Sequence, residues 1–209
     1  MTEVLAWVLL TGVGDPGLLS ASERERAAAF HRDEDRQRWV GARTALRQVL
    51  GRQLGLDPAV VVLEVGPTGK PEVAGRPLRF SLAHSGGLAL VAITERADVA
   101  ADLERMDVAL ARPPSAERYF SDADRAELTG LESGAHLDLF YRLWTEKEAY
   151  GKASGEGIAA GLGELDWSGW TRLRPQTPAG YAAAIAVRAP AAVLTLAPWP
   201  PGDPRQPAR

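Results

Sequence analysis

Cysteine is absent from this chain of 209 residues. Its absence excludes disulfide bonds, thiolate nucleophiles, and zinc or iron–sulfur sites built on cysteine. Histidine is scarce, and His31, His84 and His136 lie too far apart in sequence to show a metal-ligand spacing. A chain of this length can bury roughly 70% of its unfolded surface, so its core does not require disulfide support.

Long apolar runs and an excess of one charge are missing too. The apolar run over residues 4–10 is far shorter than the roughly 20 residues of a membrane-spanning helix. The chain opens on Met1, Thr2 and Glu3, without the basic region of a signal peptide. Lys and Arg number 24 against 27 Asp and Glu, a mildly acidic balance that argues against a nucleic-acid-binding surface. We therefore expect a cytoplasmic protein that binds neither membranes nor nucleic acid.

Hydrophobic periodicity and turn residues predict helices mixed with short strands. Helices are predicted over residues 33–53 and 136–153, and from Ser20, which forms a capping-box pattern with Glu23. Strands are predicted over residues 3–10, 60–65, 78–83, 88–94, 99–104, 165–174, 181–188 and 192–196. Because strands adjacent in sequence tend to pair antiparallel, the predicted fold class is α+β.

The chain divides into two stretches that each mix helices with strands. A candidate join near residues 95–112 separates an N-terminal half, residues 1–100, from a C-terminal half, residues 101–197. The remaining residues, 198–209, contain five prolines and are expected to form a flexible tail.

Asp102 and Glu104 lie in the predicted strand over residues 99–104, with one residue between them. Side chains alternate faces along a strand, so both carboxylates point the same way. Two close carboxylates repel each other unless a cation lies between them, and Mg²⁺ prefers such oxygen ligands. The alternative is a strand end with two solvated acids. Considered without other evidence, the Asp102–Glu104 pair favours this alternative.

The predicted helix over residues 136–153 has an apolar stripe that continues into charged residues. The stripe passes through Leu137 and Trp144 and reaches Glu148 and then Lys152. A charge where an apolar residue is expected is costly unless it is paired or bound to a metal. The alternative is an exposed Glu–Lys pair, which would contribute only ~0.3–0.5 kcal/mol.

Further positive groups are scattered along the chain. Lys70 lies on a turn rich in Gly and Pro, and His84 and Ser85 precede two glycines, where backbone can approach a ligand closely. The helix over residues 33–53 presents Arg36, Arg43 and Arg47 on one side. Each feature alone is more often structural than functional. The sequence lacks a Walker loop, a dinucleotide-binding fingerprint and a serine-hydrolase elbow, so those functions have no support.

Taken in order, these pieces resemble the motifs of the Sfp-type 4′-phosphopantetheinyl transferases. That family has a Gly-Lys-Pro turn, a Phe-x-x-Ser-His-Ser segment, a Gly-x-Asp-x-Glu strand and a Trp-x-x-Lys-Glu-x-x-x-Lys helix. The corresponding residues here are 69–71, 80–85, 100–104 and 144–152. Each motif is weak alone, but four in the matching order are specific.

The resemblance implies a pseudo-dimer: two similar α+β halves with mostly antiparallel sheets and the active site in the cleft between them. It implies a Mg²⁺-dependent transfer of 4′-phosphopantetheine from coenzyme A to a Ser of an apo acyl or peptidyl carrier protein, with release of 3′,5′-ADP. It also implies that the protein is a monomer.

The resemblance further implies roles for individual residues. The metal ligands would be Asp102, Glu104 and Glu148. Our own candidate for the general base is Glu148, acting directly or through metal-bound water. Lys152 would lie beside the pyrophosphate and stabilise the leaving group, and Arg38 or Arg43 would lie near the 3′-phosphate. The residues implied to contact coenzyme A are Arg38, Arg43, Lys70, Pro71, His84, Ser85, Asp102 and Lys152.

Two residues depart from the family pattern, and two other functions remain open. Ala83 replaces the first Ser of Ser-His-Ser, and Ala100 replaces the Gly before the acidic strand motif. Neither change removes a charge, so we expect altered affinity and retained activity. One alternative is a non-catalytic coenzyme A-binding regulator of the same fold. The other is a Mg²⁺-dependent phosphoesterase that uses water as the nucleophile.

The carrier protein is expected to bind beside the cleft, around residues 111–131. Arg112, Arg118 and Tyr119 are the candidate contacts, since carrier proteins of this kind are usually acidic. In the same stretch, Ser121 and Asp124 have the spacing of a helix start, and an ordinary amphipathic helix explains this segment equally well.

Overall fold

We describe the protein from a computed structural model, which covers residues 1–12, 14–66, 69–75, 78–111, 119–155 and 165–197. The strands are β1 (Thr2–Leu10), β2 (Leu63–Val65), β3 (Pro71–Val73), β4 (Arg79–Ser85), β5 (Leu88–Thr94), β6 (Val99–Arg105), β7 (Thr171–Leu173), β8 (Tyr181–Val187) and β9 (Ala192–Leu196). The helices are α1 (Ala21–Ala28), α2 (Asp33–Leu54), α3 (Asp122–Leu128) and α4 (Ser133–Ser154), with short 3₁₀ helices at Pro16–Leu18 and Pro58–Val60.

The strands of the described residues form two larger sheets and one small one. The first sheet has the order β4-β5-β1-β9, and the second has the order β6-β8-β7. The strands β2 and β3 form a separate antiparallel pair. All the pairings are antiparallel except that of β1 with β9. The predicted α+β class with mostly antiparallel sheets is therefore confirmed.

The core is layered, with the two larger sheets packed between the two long helices. The strand β1 is buried on both faces, because Val4 packs towards the second sheet while Trp7 packs against α2. The strand β6, in the second sheet, is also buried on both faces. Its residue Leu103 faces the first sheet, and Ala100 faces α4. Alternation along each strand thus supplies one apolar face to each neighbouring layer.

Helix boundaries follow local hydrogen-bond chemistry. The predicted capping box at the start of α1 is confirmed, since the Ser20 hydroxyl accepts a hydrogen bond from the Glu23 backbone N–H and Glu23 accepts one in return. Ser121 and Asp124 form the same arrangement at the start of α3. The helix α4 ends at Gly155, whose φ of 83° favours glycine.

Two predicted strands were too long, because polar side chains form local turns within them. The strand predicted over residues 60–65 is a strand only at Leu63–Val65, since the Asp57 carboxylate accepts the Ala59 N–H and starts a 3₁₀ turn. The strand predicted over residues 165–174 is reduced to Thr171–Leu173. There, the Asp166 carboxylate accepts the Ser168 N–H.

The last strand joins the first sheet, although the predicted division of the chain puts it in the C-terminal half. Thr2 of β1 lies opposite Ala192 of β9 in a parallel register. Sheet pairing therefore crosses the predicted boundary between residues 1–100 and 101–197, and that division stays a prediction. The predicted flexible tail, residues 198–209, lies outside the described residues.

None of the helices in the described part of the chain combines the length and the apolar character needed to cross a membrane.

Candidate active site

The helix α4 lies close against β6 because the residues between them are small. Ala100 of β6 packs with Ala149 and Ala153 of α4, and two alanines of β8 complete this cluster. Asp102 lies on the same face of β6 as Ala100, since side chains alternate along a strand. Close packing of alanines thus brings the Asp102 carboxylate under the last turns of α4.

Lys152 bridges acids from the strand and the helix. Its Nζ lies 2.5 Å from Oδ1 of Asp102 and 3.9 Å from Oε2 of Glu148. Glu148 and Lys152 are four residues apart, so they project from the same side of α4. The side chain of Asp102 is 3% exposed and that of Glu148 is 6% exposed, whereas that of Lys152 is 47% exposed. The alternative of an exposed Glu–Lys pair does not describe this site, because the half-exposed Lys152 contacts a buried Asp102 and lies near a buried Glu148.

Asp102 has one oxygen that the protein leaves unsatisfied. Its Oδ2 is buried and has no hydrogen-bond partner among the described residues. A buried carboxylate oxygen without a donor is costly, because it has lost its hydration without replacement. The site therefore has acceptor capacity that a cation would fill.

The acids of this site hold their protons more tightly than in water. Burial raises the pKa of Asp102, although Lys152 opposes the shift. Burial and the negative charge of Asp102 raise the pKa of Glu104. Burial, with Asp102 and Glu104 adding repulsion and Lys152 opposing it, raises the pKa of Glu148 to about 7. The three predicted acids thus form one electrostatically coupled group.

Glu104 and the predicted phosphate-binding residue Ser85 are in direct contact. The Ser85 hydroxyl donates a hydrogen bond to Oε2 of Glu104 at 3.0 Å and accepts one from the Arg105 N–H. His84 lies at the exposed end of β4, where partial burial and the positive charge of Lys152 lower its pKa. The end of β4 therefore places the Ser85 hydroxyl beside Glu104, and it places His84 within electrostatic reach of Lys152.

Lys70 reaches the same helix from the Gly-Lys-Pro turn. Its Nζ donates a hydrogen bond to the Ala153 carbonyl at 2.8 Å, at the carboxyl end of α4. Lys70 and Pro71 also line a pocket of about 250 Å³ together with Ser154 and Arg188. The lining of this pocket includes Asp98 but not Lys152 or any of the three acids, so a common site that includes Lys70 stays a prediction.

The carboxylate oxygens of Asp102, Glu104 and Glu148 are suitable ligands for a divalent cation, but in this structure the three side chains do not converge on one point. Among the residues that the structure describes, no three acidic or histidine side chains are placed to hold a metal ion. The Lys152 ammonium lies between Asp102 and Glu148, and Glu104 is hydrogen-bonded to Ser85. A bound cation would contact the unsatisfied Asp102 oxygen, and burial is the main cause of the raised pKa values.

Comparison with known proteins identifies the family. The model of the 4′-phosphopantetheinyl transferase superfamily matches residues 98–192. The 4′-phosphopantetheinyl transferase HetI of Nostoc sp. is 36% identical over 165 residues, which cover 77% of this chain and 68% of HetI. The chain belongs to this superfamily.

Two further relatives carry related names. A Synechocystis sp. protein named provisionally as a 4′-phosphopantetheinyl transferase is 38% identical over 158 residues, or 73% of this chain. The 4′-phosphopantetheinyl transferase Sfp of Bacillus subtilis is 28% identical over 148 residues, or 69% of this chain. The chain spans 63% of the length of each of these two relatives.

The structure of this superfamily member holds two predicted coenzyme A contacts in ion pairs away from the acids. Arg38 pairs with Glu34 and Asp35 on its own helix. Arg43 donates from Nε to Glu23 at 2.7 Å. Arg38 is thus paired within α2, and Arg43 is paired with α1. Their contacts with coenzyme A stay predictions.

The sequence analysis missed a second set of buried charges on α4. Lys147 forms an ion pair with Asp124 of α3 at 2.8 Å, and Glu146 accepts hydrogen bonds from Arg172 and Arg174. Lys147 falls within the quoted helix motif of this phosphopantetheinyl transferase superfamily member. Its place in that motif was the available signal, and Lys147 lies beside the apolar stripe because it follows Trp144 by three residues.

Both departures from the family pattern lie in the packed core. Ala83 is 7% exposed and packs between the two sheets, while Ala100 is 2% exposed and packs against α4. Alanine packing accommodates the extra methyl group of Ala100. Of the predicted carrier contacts, Arg112 and Arg118 lie outside the described residues. Tyr119 packs edge-on against Trp144 with ring centroids 5.0 Å apart.

Proposed function

We propose that this protein transfers the 4′-phosphopantetheine group of coenzyme A to a serine of an apo acyl or peptidyl carrier protein. The serine oxygen forms a bond to the β-phosphorus of coenzyme A, and the bond from that phosphorus to the bridging oxygen of the diphosphate breaks. The serine hydroxyl loses its proton, and 3′,5′-ADP leaves. The reaction depends on Mg²⁺ and takes place in a cleft between two similar halves of the chain.

The observation that carries this proposal is the group of three acids with Lys152 against it. Asp102 and Glu148 are buried, and Glu104 is half-buried. Buried acids with raised pKa values and one shared cation are a poor arrangement for stability, so they mark a functional site. Membership in the superfamily supplies the reaction class.

Asp102, Glu104 and Glu148 would hold Mg²⁺ in this site. When bound, the ion would neutralise charge on the diphosphate of coenzyme A. Lys70, His84, Ser85 and Lys152 would orient the phosphates by hydrogen bonds and charge. Positioning and charge stabilisation of this kind are the main contributions to phosphoryl transfer.

Glu148 is the proposed general base. Burial raises the pKa of Glu148 to about 7, and a bound cation would lower it, so Glu148 would be ionised and able to accept a proton at neutral pH. It would accept the proton of the carrier serine. Lys152 would then stabilise the negative charge that develops on the leaving 3′,5′-ADP.

Incubation with coenzyme A, Mg²⁺ and a panel of apo acyl and peptidyl carrier proteins tests the proposal by intact-protein mass spectrometry. We expect at least one carrier to gain the mass of one phosphopantetheine. Coenzyme A binding without any mass gain would instead support the regulator. Release of phosphorylated pantetheine without a carrier would support the phosphoesterase.

A further inference from the structure

We infer that Lys152 is an internal counter-cation that occupies the acid group and competes directly with a divalent cation for Asp102. The inference rests on the proposed metal site and adds a second role for Lys152. The same ammonium group would first neutralise Asp102 and then, once a metal ion displaces it, become available to the diphosphate.

The geometry of Lys152 is that of a replaceable partner. Its Nζ contacts an Asp102 oxygen at 2.5 Å, although its own side chain is 47% exposed and Asp102 is 3% exposed. The lysine therefore enters a buried site from the solvent side through a long flexible stem. Leaving the site returns the ammonium to water, which costs little desolvation energy.

The neutralisation that Lys152 provides is incomplete. It satisfies Oδ1 of Asp102, while Oδ2 is buried and has no donor in the part of the chain that the structure describes. Glu148 lies 3.9 Å from the Lys152 Nζ, beyond hydrogen-bond distance. One positive charge thus serves a group of three acids, which leaves room for a stronger ligand.

A divalent cation and the ammonium cannot both occupy this place. Lys152 already lies between Asp102 and Glu148, which are two of the proposed metal ligands. Two cations within a few ångströms of each other repel strongly in a partly buried site. A metal ion that contacts both Asp102 and Glu148 would need the space that the Lys152 ammonium occupies between them. Its affinity therefore includes the cost of breaking the contact of Lys152 with Asp102.

The test measures Mn²⁺ binding by electron paramagnetic resonance, without coenzyme A or a carrier. In Lys152→Met, which keeps the stem and removes the charge, the dissociation constant for Mn²⁺ should fall at least about tenfold. Lys152→Arg keeps a competing cation and should bind Mn²⁺ within about threefold of the wild type. Arg142→Met removes an exposed charge from the same helix and should leave Mn²⁺ affinity unchanged.

Equal or weaker Mn²⁺ binding in folded Lys152→Met would overturn the inference, and so would an absence of Mn²⁺ binding in every variant. If Lys152→Met does not fold, Lys152→Gln provides a second neutral variant. Its dissociation constant for Mn²⁺ must fall by the same factor. The carrier assay is independent of this measurement. If the wild-type protein modifies a carrier but Lys152→Met binds Mn²⁺ no more tightly than the wild type does, the inference about Lys152 is contradicted and the proposed function is not.

Discussion

At the residue scale, Asp102 and Glu148 are carboxylates whose burial is costly for stability. Folding buries both carboxylates and raises their pKa values, which means that the folded protein disfavours their ionised forms. The ion pair with Lys152 offsets part of the free-energy cost of burying the Asp102 carboxylate. Substitutions at these positions should therefore separate activity from stability.

Replacement of Glu148 by Gln removes the proposed base while it keeps the shape of the side chain. Transfer to the carrier should slow by at least about 10²-fold, as expected for the loss of a general base. Asp138→Asn changes an exposed acid on the same helix and should retain wild-type activity. The initial rate of carrier modification measures both. A Glu148→Gln rate within threefold of the wild-type rate would remove Glu148 from its role.

Asp102→Asn should abolish transfer without destabilising the fold. In EDTA at pH 7, its free energy of unfolding should equal the wild-type value or exceed it by up to ~1 kcal/mol, because the substitution removes a buried charge whose partner can return to water. Urea unfolding measures the difference. Asp124→Asn is the contrasting variant. It weakens a buried ion pair with Lys147 and a helix cap, and it should lose about 1–3 kcal/mol. A loss above ~1 kcal/mol in Asp102→Asn would contradict this account.

At the scale of elements, α1 and α2 are joined by a buried acid. Glu23 accepts hydrogen bonds from Nε of both Arg43 and Arg47, and Arg47 also donates to the carbonyls of Pro58 and Val61. Burial alone would raise the pKa of Glu23. The Ser20 N–H and the two arginines outweigh that effect and lower it below the ordinary value of 4.5.

The lowered pKa of Glu23 gives a pH dependence of known sign. A depressed carboxyl pKa stabilises the fold above the unfolded-state value of 4.5, and this stabilisation is lost as the pH falls through the lower folded-state value. Glu23→Gln should cost about 3 kcal/mol at pH 7, and the difference from wild type should shrink below pH 4.5. Urea unfolding between pH 7 and pH 3.5 measures it, with the exposed Glu25→Gln as the control. A cost that does not change with pH would refute this role.

The helix α2 also touches the end of β1 through a glycine. A Cβ at Gly41 would lie 2.2 Å from the Thr11 carbonyl oxygen, and backbone cannot give way there. Gly41→Ala should therefore lose about 1–3 kcal/mol. Gly134→Ala, in the first turn of α4, meets no atom within 4 Å and should gain about 0.4–1 kcal/mol from reduced unfolded-state entropy. Thermal unfolding compares them, and equal stabilities would contradict the close packing.

At the scale of the whole molecule, local signals in the sequence were the most informative. The capping boxes at Ser20 and Ser121 depend on residues three apart, and both form as their spacing predicts. Long-range contacts carry no such signal. The pairing of β1 with β9, and the contact of Lys152 with Asp102 across 50 positions, depend on how the layers pack. The sequence predicted that the acids and Lys152 share one site, and the roles of these residues stay predictions. It gave no sign that the Lys152 ammonium would lie between Asp102 and Glu148.

Crystals soaked with Mn²⁺ and coenzyme A give the most direct test that the acids from β6 and α4 form one metal-dependent centre. Anomalous diffraction should show one Mn²⁺ peak at about 2.1 Å from carboxylate oxygens of both Asp102 and Glu148. The coenzyme A diphosphate should lie against the same peak. Bound coenzyme A with no anomalous peak at these two residues, or with a peak that contacts neither of them, would contradict the account.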